Sequence, residues 1–104
     1  MSNELLYVDE VEAPARAKAG EIVIVTIQGN KPDPSWELDR NEVAIDGTAV
    51  TIDVYGRKAS KSPVAMVLVP FTTTATLSGL PSGKLQLIVR GRQRSVTRDL
   101  QVSP

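Results

Sequence analysis

Hydrophobic and polar residues alternate over short stretches of this chain, which is the period of β-strands. No stretch of a dozen residues keeps the three- and four-residue spacing of an amphipathic helix. The most regular element is predicted at 21–28, a run rich in β-branched residues between Gly20 and Gly29. Both of its faces are apolar, with Ile22 and Ile24 on one side, so we predict a central strand that is at least partly covered on both faces.

Further strands follow at short intervals, separated by turn-forming residues. Asp46–Gly47 is the signature of a two-residue hairpin turn, and 50–55 alternates after it with Val and Ile on one face. The apolar run 64–69 predicts another strand, and 85–89 alternates before Gly91 marks a tight turn.

Strands of this number and spacing predict an all-β domain, an immunoglobulin-like β-sandwich of about seven to eight antiparallel strands. The chain has 104 residues, enough for one hydrophobic core, so we expect a single domain over 1–104 with a disordered terminus at 1–4. Aromatic residues make up only 4% of the chain, and the core must therefore consist mainly of Val, Ile, Leu and Ala.

The net charge is zero, but the charges are unevenly distributed along the chain. Residues 1–56 carry eleven acidic and four basic side chains, a net charge of −7, whereas residues 57–104 carry one acidic and eight basic side chains, a net charge of +7. Either acidic and basic strands lie side by side and neutralise each other, or the two halves support head-to-tail stacking or an anionic partner. The zero balance argues against general nucleic-acid affinity.

The chain contains neither Cys nor His. It therefore lacks the residues of disulfides, of thiolate metal sites and of the serine–histidine triad, and we expect no enzymatic activity, no cofactor and no metal. Ser60 and Lys61 offer a formal Ser–Lys pair, but neighbouring residues of a strand point to opposite faces.

Carboxylates are concentrated in the segment after the only Trp. Glu37 and Asp39 share a strand face, with Glu42 and Asp46 nearby. They could perform acid–base chemistry or bind Ca²⁺, but a solvated strand face explains them equally well and is the interpretation we favour.

The longest nearly apolar run, 64–69, is too short to span a bilayer. The first residues lack the basic and apolar regions of a signal peptide. We expect an extracytoplasmic location if a leader has been removed, and a cytoplasmic one otherwise.

Several motifs resemble those of a family of small immunoglobulin-like domains found in secreted proteins and lipoproteins of bacteria. They are the proline-containing turn at 29–33 followed by Glu37–Leu38, then Val69–Pro70–Phe71, and Leu77 with the turn at 79–83 before the alternating strand to Val89. The resemblance covers the chain from about Gly20 onward. It implies a β-sandwich of an extracytoplasmic bacterial protein, in a family whose functions are mostly uncharacterised.

The chain departs from the family pattern at two places. Members often have a cysteine pair where Ser35 and Met66 stand, and a tyrosine, resembling a tyrosine corner, where this chain has Leu85. The first departure argues against an extracellular location. The second removes one stabilising hydrogen bond and leaves the sandwich unchanged.

Five residues are candidates for contact with a partner: Lys31, Trp36, Arg90, Arg92 and Arg94. Trp36 lies twelve residues after Ile24, which resembles the spacing of the core Trp of immunoglobulin domains and predicts a buried or half-buried structural role. Alternatively, Trp36 lies at the rim of the stiff 31–36 loop, where an aromatic side chain can anchor a partner.

The three arginines share a parity, and we expect them in a row on one strand face, with a spacing of roughly 6.5–7 Å. Such a row suits carboxylate, sulfate or phosphate groups; otherwise it protects an edge hairpin against aggregation. Exposed charges stabilise folding little, so replacing all three with Gln is expected to leave the domain folded.

The sequence therefore predicts a non-catalytic binding or structural module that contacts a protein or an acidic glycan. The alternative is a structural domain that self-associates through its acidic and basic halves. The identity of the ligand and the oligomeric state stay open.

Overall fold

The computed structural model describes residues 3–59 and 66–104, and within these ranges the chain forms nine β-strands and no helix. The strands are β1 (Asn3–Leu5), β2 (Tyr7–Glu12), β3 (Arg16–Lys18), β4 (Val23–Lys31), β5 (Trp36–Asp46), β6 (Ala49–Lys58), β7 (Val69–Leu77), β8 (Gly83–Arg90) and β9 (Ser95–Ser103). The predicted all-β class is confirmed. Asn3 and Glu4, expected in a disordered terminus, lie in β1.

The strands form two sheets that pack face to face. The large sheet has the order β1-β6-β8-β9-β3, with β5 also paired to β6, and the small sheet has the order β2-β4-β7. Because β5 pairs along the whole length of β6, β1 and β8 share the opposite edge of β6, at its end and its beginning respectively. The predicted β-sandwich is confirmed.

Two strand pairs are parallel, where the alternation suggested only antiparallel strands. β6 pairs with β8 in parallel, and β3 with β9. The chain leaves β6, passes through β7 in the other sheet and returns to the large sheet as β8, and a crossover of this kind brings the chain back in the same direction. The in-sheet order thus differs from a purely antiparallel sandwich.

Alternating side chains from both sheets fill the space between them. The largest fully buried side chains belong to Val, Ile and Leu, as the composition predicted: Leu6, Val8, Val25, Ile27, Val50, Ile52, Val54, Leu77, Leu85, Leu87, Val89 and Leu100. Phe71 is the one aromatic residue among the buried core side chains of the described ranges. Burial of this apolar surface supplies most of the stability of the fold.

Leu6 marks the place where the chain changes sheets, between β1 in the large sheet and β2 in the small one. Its N–H donates to the carbonyl of Val54 at 3.0 Å, and its carbonyl accepts from the N–H of Arg92 at 2.8 Å. Its buried side chain fills the space that a side chain at Gly56 would need. The crossing point is therefore tied to both β6 and the turn after β8.

The outer face of the small sheet is open to solvent. Ile22 is 66% exposed and Ile24 57% exposed. The expectation that this strand is covered on both faces is wrong, because β4 is the central strand of a three-stranded sheet that has a neighbouring layer on only one side.

The strand expected at 64–69 begins later. Val64 and Ala65 lie outside the described residues, and Met66 to Leu68 are exposed and belong to no strand. β7 starts at Val69 and continues through Pro70, which an edge strand tolerates because the missing N–H can lie on the unpaired side.

Candidate binding surface

The loop between β4 and β5 is held by its own hydrogen bonds. The buried carboxylate of Asp33 accepts from the N–H of Ser35 at 2.8 Å and from the Ser35 hydroxyl, and the carbonyl of Asp33 accepts from the N–H of Trp36 at 3.3 Å. The N–H of Ala59 donates to the carbonyl of Ser35 at 2.7 Å, which ties the loop to the end of β6. These bonds fix the position at which Trp36 begins β5.

The pKa of Asp33 is lowered, mainly because the Ser35 hydroxyl stabilises its charged form by a hydrogen bond. A carboxyl group with a depressed pKa stabilises the fold above its unfolded pKa of about 3.9, and the stabilisation is lost as the pH falls through the lower folded value. The stabilisation that the Asp33 carboxylate gives the loop is therefore fully present at neutral pH.

Trp36 is half-buried and packs against the core, as its spacing predicted. Its ring centroid lies 5.8 Å from Cζ of Arg92, and the ring centroid of Tyr7 lies 5.7 Å from the same atom. A guanidinium group at these distances from an aromatic face is attracted by the ring electrons. We call Tyr7, Trp36 and Arg92 the aromatic–arginine cluster.

The guanidinium group of Arg92 also approaches a carboxylate from β1. Nη1 of Arg92 lies 3.2 Å from Oε2 of Glu4. This nitrogen is buried and has no hydrogen-bond partner within the described ranges, because the approach to Glu4 lacks the required alignment. Nη1 of Arg92 is thus held near Glu4 by charge attraction and not by a hydrogen bond.

Two further candidates lie at the same end of the sandwich. Lys31 ends β4 and follows Asn30, which is directly opposite Tyr7 in the small sheet. Arg94 is exposed and belongs to the same turn as Arg92, in which the N–H of Gly91 donates to the carbonyl of Arg94 at 3.0 Å. The structure therefore brings Lys31, Trp36, Arg92 and Arg94 to one end.

Arg90 lies apart from this group, and the expected row of arginines on one strand face is not formed. β8 ends at Arg90, and the next four residues form a turn in which Gln93 has a φ of 76°. This left-handed residue lets the chain reverse, and the reversal takes Arg92 and Arg94 off the strand face. Parity along the sequence predicts a common face only while the chain remains extended.

The guanidinium group of Arg90 makes two hydrogen bonds of 2.6 Å, one to each carboxylate oxygen of Asp53, whose side chain is 13% exposed. Such a paired geometry is specific to arginine and carboxylate. The bonds to Asp53 raise the pKa of Arg90. Arg90 is therefore committed to a contact within the domain.

We expect Arg90→Gln to lower the Tm by several degrees, because the poorly exposed carboxylate of Asp53 would lose both of its charged hydrogen bonds. Thermal unfolding followed by circular dichroism measures this. Arg94→Gln is the matched control, an exposed arginine of the same hairpin, and it should leave the Tm unchanged. Replacing all three arginines is thus expected to cost stability at Arg90, and equal Tm values for the Arg90→Gln and Arg94→Gln variants would contradict this.

The uneven charge along the chain is balanced within the fold. Ion pairs join the acidic first half to the basic second half at three places: Glu4 with Arg92, Glu37 with Arg57, and Asp53 with Arg90. These contacts correspond to the first interpretation of the charge pattern, in which acidic and basic strands lie side by side.

Three of the four carboxylates considered for Ca²⁺ or for acid–base chemistry are bound to arginines. Glu37 accepts from Nε of Arg57 at 2.7 Å, whereas Asp39 and Glu42 both pair with Arg40, which also lies 4.8 Å from the ring centroid of Tyr55. In the part of the chain that the structure describes, no group of three or more Asp or Glu side chains is arranged to hold a metal ion.

A shallow depression lies on the outer face of the small sheet, with a volume of about 320 Å³. Its lining is Glu12, Ala13, Pro14, Ile24 and Thr26. It is wide open and lacks aromatic side chains, so it does not enclose a small molecule as ligand pockets do.

Neither Tyr7 nor Glu4 belongs to a sequence motif that predicts a contact residue. Tyr7 occupies the polar phase of the alternation between Leu6 and Val8, which places its ring away from the core. The ring lies next to Arg92 because the chain changes sheets at Leu6 and because the turn after β8 is hydrogen-bonded to Leu6. No local signal in the sequence contains this information.

No segment within residues 3–59 and 66–104 is a helix of the length and apolar character that a membrane-spanning helix needs. Comparison with curated proteins and with solved structures finds no match. A family model described as ORF11 beta-sandwich domain matches residues 25–98, which run from β4 into β9. This range includes most of both sheets, and the expected resemblance is confirmed as far as a β-sandwich family. The chain belongs to the ORF11 beta-sandwich domain family.

Proposed function

We propose that this domain is a non-catalytic binding module and that its contact surface is the end of the sandwich that carries the aromatic–arginine cluster. The observation that carries the proposal is the placement of Arg92 against the rings of Tyr7 and Trp36, with Lys31 and Arg94 at the same end. The partner is a protein segment rich in Asp and Glu.

Aromatic residues and arginine support a protein partner. Trp, Tyr and Arg are the residues whose truncation most often weakens protein–protein complexes, and they are enriched in such interfaces. All three meet here on loops and strand ends that a rigid sandwich positions, the arrangement in which binding residues are commonly found.

The contacts of Arg92 reduce the cost of binding. Two rings contact its guanidinium group, and its backbone is tied to Leu6 by a hydrogen bond of 2.8 Å. A side chain already held in place loses less conformational freedom when a partner binds. The Arg92 side chain is partly exposed, so a partner can reach it.

The same proposal makes the domain a part of an extracytoplasmic bacterial protein. The motif resemblance at 29–33 and 69–71 supports this location. Self-association through the acidic and basic halves has less support, because the three ion pairs that join the halves occupy these charges within one molecule.

We expect the protein to bind acidic polypeptides in a salt-sensitive manner, and binding can be measured by the fluorescence of Trp36, the only Trp of the chain. The probe set is poly-glutamate, heparin as an acidic glycan, and single-stranded DNA. Arg92→Gln should weaken poly-glutamate binding about tenfold, and Lys31→Gln with Arg94→Gln should weaken it by a similar factor.

Arg98→Gln is the matched control, since it removes an exposed arginine from β9 and should leave the affinity unchanged. Equal binding by the control and by the Lys31/Arg94 variant would remove the assignment of this end. Binding to heparin but not to poly-glutamate would replace the proposed protein partner by a glycan, and the absence of any salt-sensitive ligand would overturn the proposal.

A further inference from the structure

The edge of the large sheet at β5 is long and regular. β6 pairs with one edge of β5, and no strand of the described residues pairs with the other. A bulge between Leu38 and Arg40 interrupts the strand, and from Arg40 to Asp46 the pairing with β6 continues without a shift. We call Arg40–Asp46 the β5 edge.

The β5 edge exposes apolar side chains on the core side of the sheet. Val43 is directly opposite Ile52, and Ile45 is directly opposite Val50, so each pair shares a face. Ile52 and Val50 are fully buried, whereas Val43 is 41% exposed and Ile45 44% exposed. The small sheet covers β6 but leaves this apolar pair of β5 partly uncovered, next to unpaired backbone groups.

The opposite face of the β5 edge carries a charge pattern. Arg40, Glu42, Ala44 and Asp46 alternate with the apolar residues, so they lie together on the outer face of the large sheet. The β5 edge thus begins with the positive charge of Arg40 and ends with the negative charge of Asp46 on the same face.

We propose that the β5 edge is a self-association surface, on which two copies of this chain pair antiparallel and continue the large sheet across a two-fold axis at Val43. In this register Val43 faces the partner's Val43, and Arg40 of each copy faces the partner's Asp46. Two opposite-charge pairs and an apolar Val43–Val43 contact then form together, and the unpaired backbone groups of both edges find partners.

Neighbouring registers are less favourable on the same physical grounds. An axis at Ala44 places Glu42 opposite the partner's Asp46 twice, and an axis at Glu42 places that carboxylate opposite itself. Like charges directly opposite each other destabilise a strand pair. The charge order along the strand therefore favours the register centred on Val43 over both adjacent registers.

The proposal is tested by sedimentation velocity on the whole chain over a range of protein concentrations. The wild type should dimerise as the concentration rises. Asp46→Arg and Arg40→Asp should each weaken the dimer at least about tenfold, because each variant places two like charges opposite each other twice. A mixture of the two variants should associate with wild-type strength, since every acidic position then faces a basic one.

Arg98→Asp, a charge reversal on β9, is the control and should dimerise like the wild type. Thermal unfolding shows whether Arg40→Asp still folds, since Arg40 contacts Tyr55, Asp39 and Glu42 within one molecule. If it does not fold, Val43→Lys replaces it and should also dissociate the dimer. A monomeric wild type at every concentration, a dimer unaffected by Asp46→Arg, or a mixture that stays monomeric would overturn the proposal.

Discussion

Gly29→Ala is expected to destabilise the domain by about 3 kcal/mol or more. Gly29 lies opposite Val8 of β2, and a Cβ at this position would overlap the backbone carbonyl oxygen of Tyr7 and come within 3.0 Å of the ring of Phe71. The obstacle is backbone, so β2 would have to move away from β4. In a domain of this size the corresponding decrease in Tm is roughly 12 °C or more.

The measurement is thermal unfolding followed by circular dichroism, with Gln28→Ala as the matched control. Gln28 is the preceding residue of β4 and is exposed, so its replacement should change the stability by less than about 0.5 kcal/mol. A Gly29→Ala variant as stable as the wild type would show that β2 and β4 are not in such close contact in solution.

Leu6→Ala should destabilise the domain by about 2–5 kcal/mol, because the side chain is fully buried where the chain changes sheets. Gly56→Ala should cost about 1–3 kcal/mol, since the added methyl group would overlap the Leu6 side chain. The double variant should be more stable than the sum of the two costs predicts, because the new methyl group fills part of the cavity left by Leu6.

Chemical denaturation of the four proteins of this cycle gives the coupling free energy, for which we expect about 1 kcal/mol or more. Gly56→Ala combined with Leu100→Ala is the control cycle, since β8 separates β6 from β9 in the large sheet, and it should be nearly additive. Additivity of the Leu6 and Gly56 substitutions would exclude the close packing between them.

The alternation of side chains predicted most of the strands, because the period of two depends only on local geometry and on the burial of one face. The composition of the core followed for the same reason. The strand expected at 64–69 shows the limit: an apolar run predicts burial, but Met66 to Leu68 lie exposed outside the sheets. Apolar character alone does not reveal whether another layer lies above the strand, and the exposed face of β4 makes the same point at Ile24.

The candidate surface was predictable only in part. The place of Trp36 and Lys31 beside a proline-containing loop predicts them as contact residues, and the fold brings them to the same end as Arg92 and Arg94. Parity along the sequence groups Arg90 with Arg92 and Arg94, but a carboxylate from β6 binds it on the outer face of the large sheet. Contacts between strands distant in sequence depend on sheet order, and the parallel pairing of β6 with β8 has no local signature.

The pairing of β3 with β9 bears on how the chain reaches this structure. Arg16 to Lys18 pair with Gln101 to Ser103, and β1 likewise pairs with the end of β6, which lies far along the chain. Strands so distant in sequence pair only after a long loop has closed, and its entropy cost is not offset until the contacts form. Sandwiches of this kind therefore fold in roughly milliseconds to seconds, far more slowly than helical bundles. On the ribosome, β3 would remain unpaired until β9 has emerged, and the segment near Arg16 would be the last part of the domain to become protected from proteases.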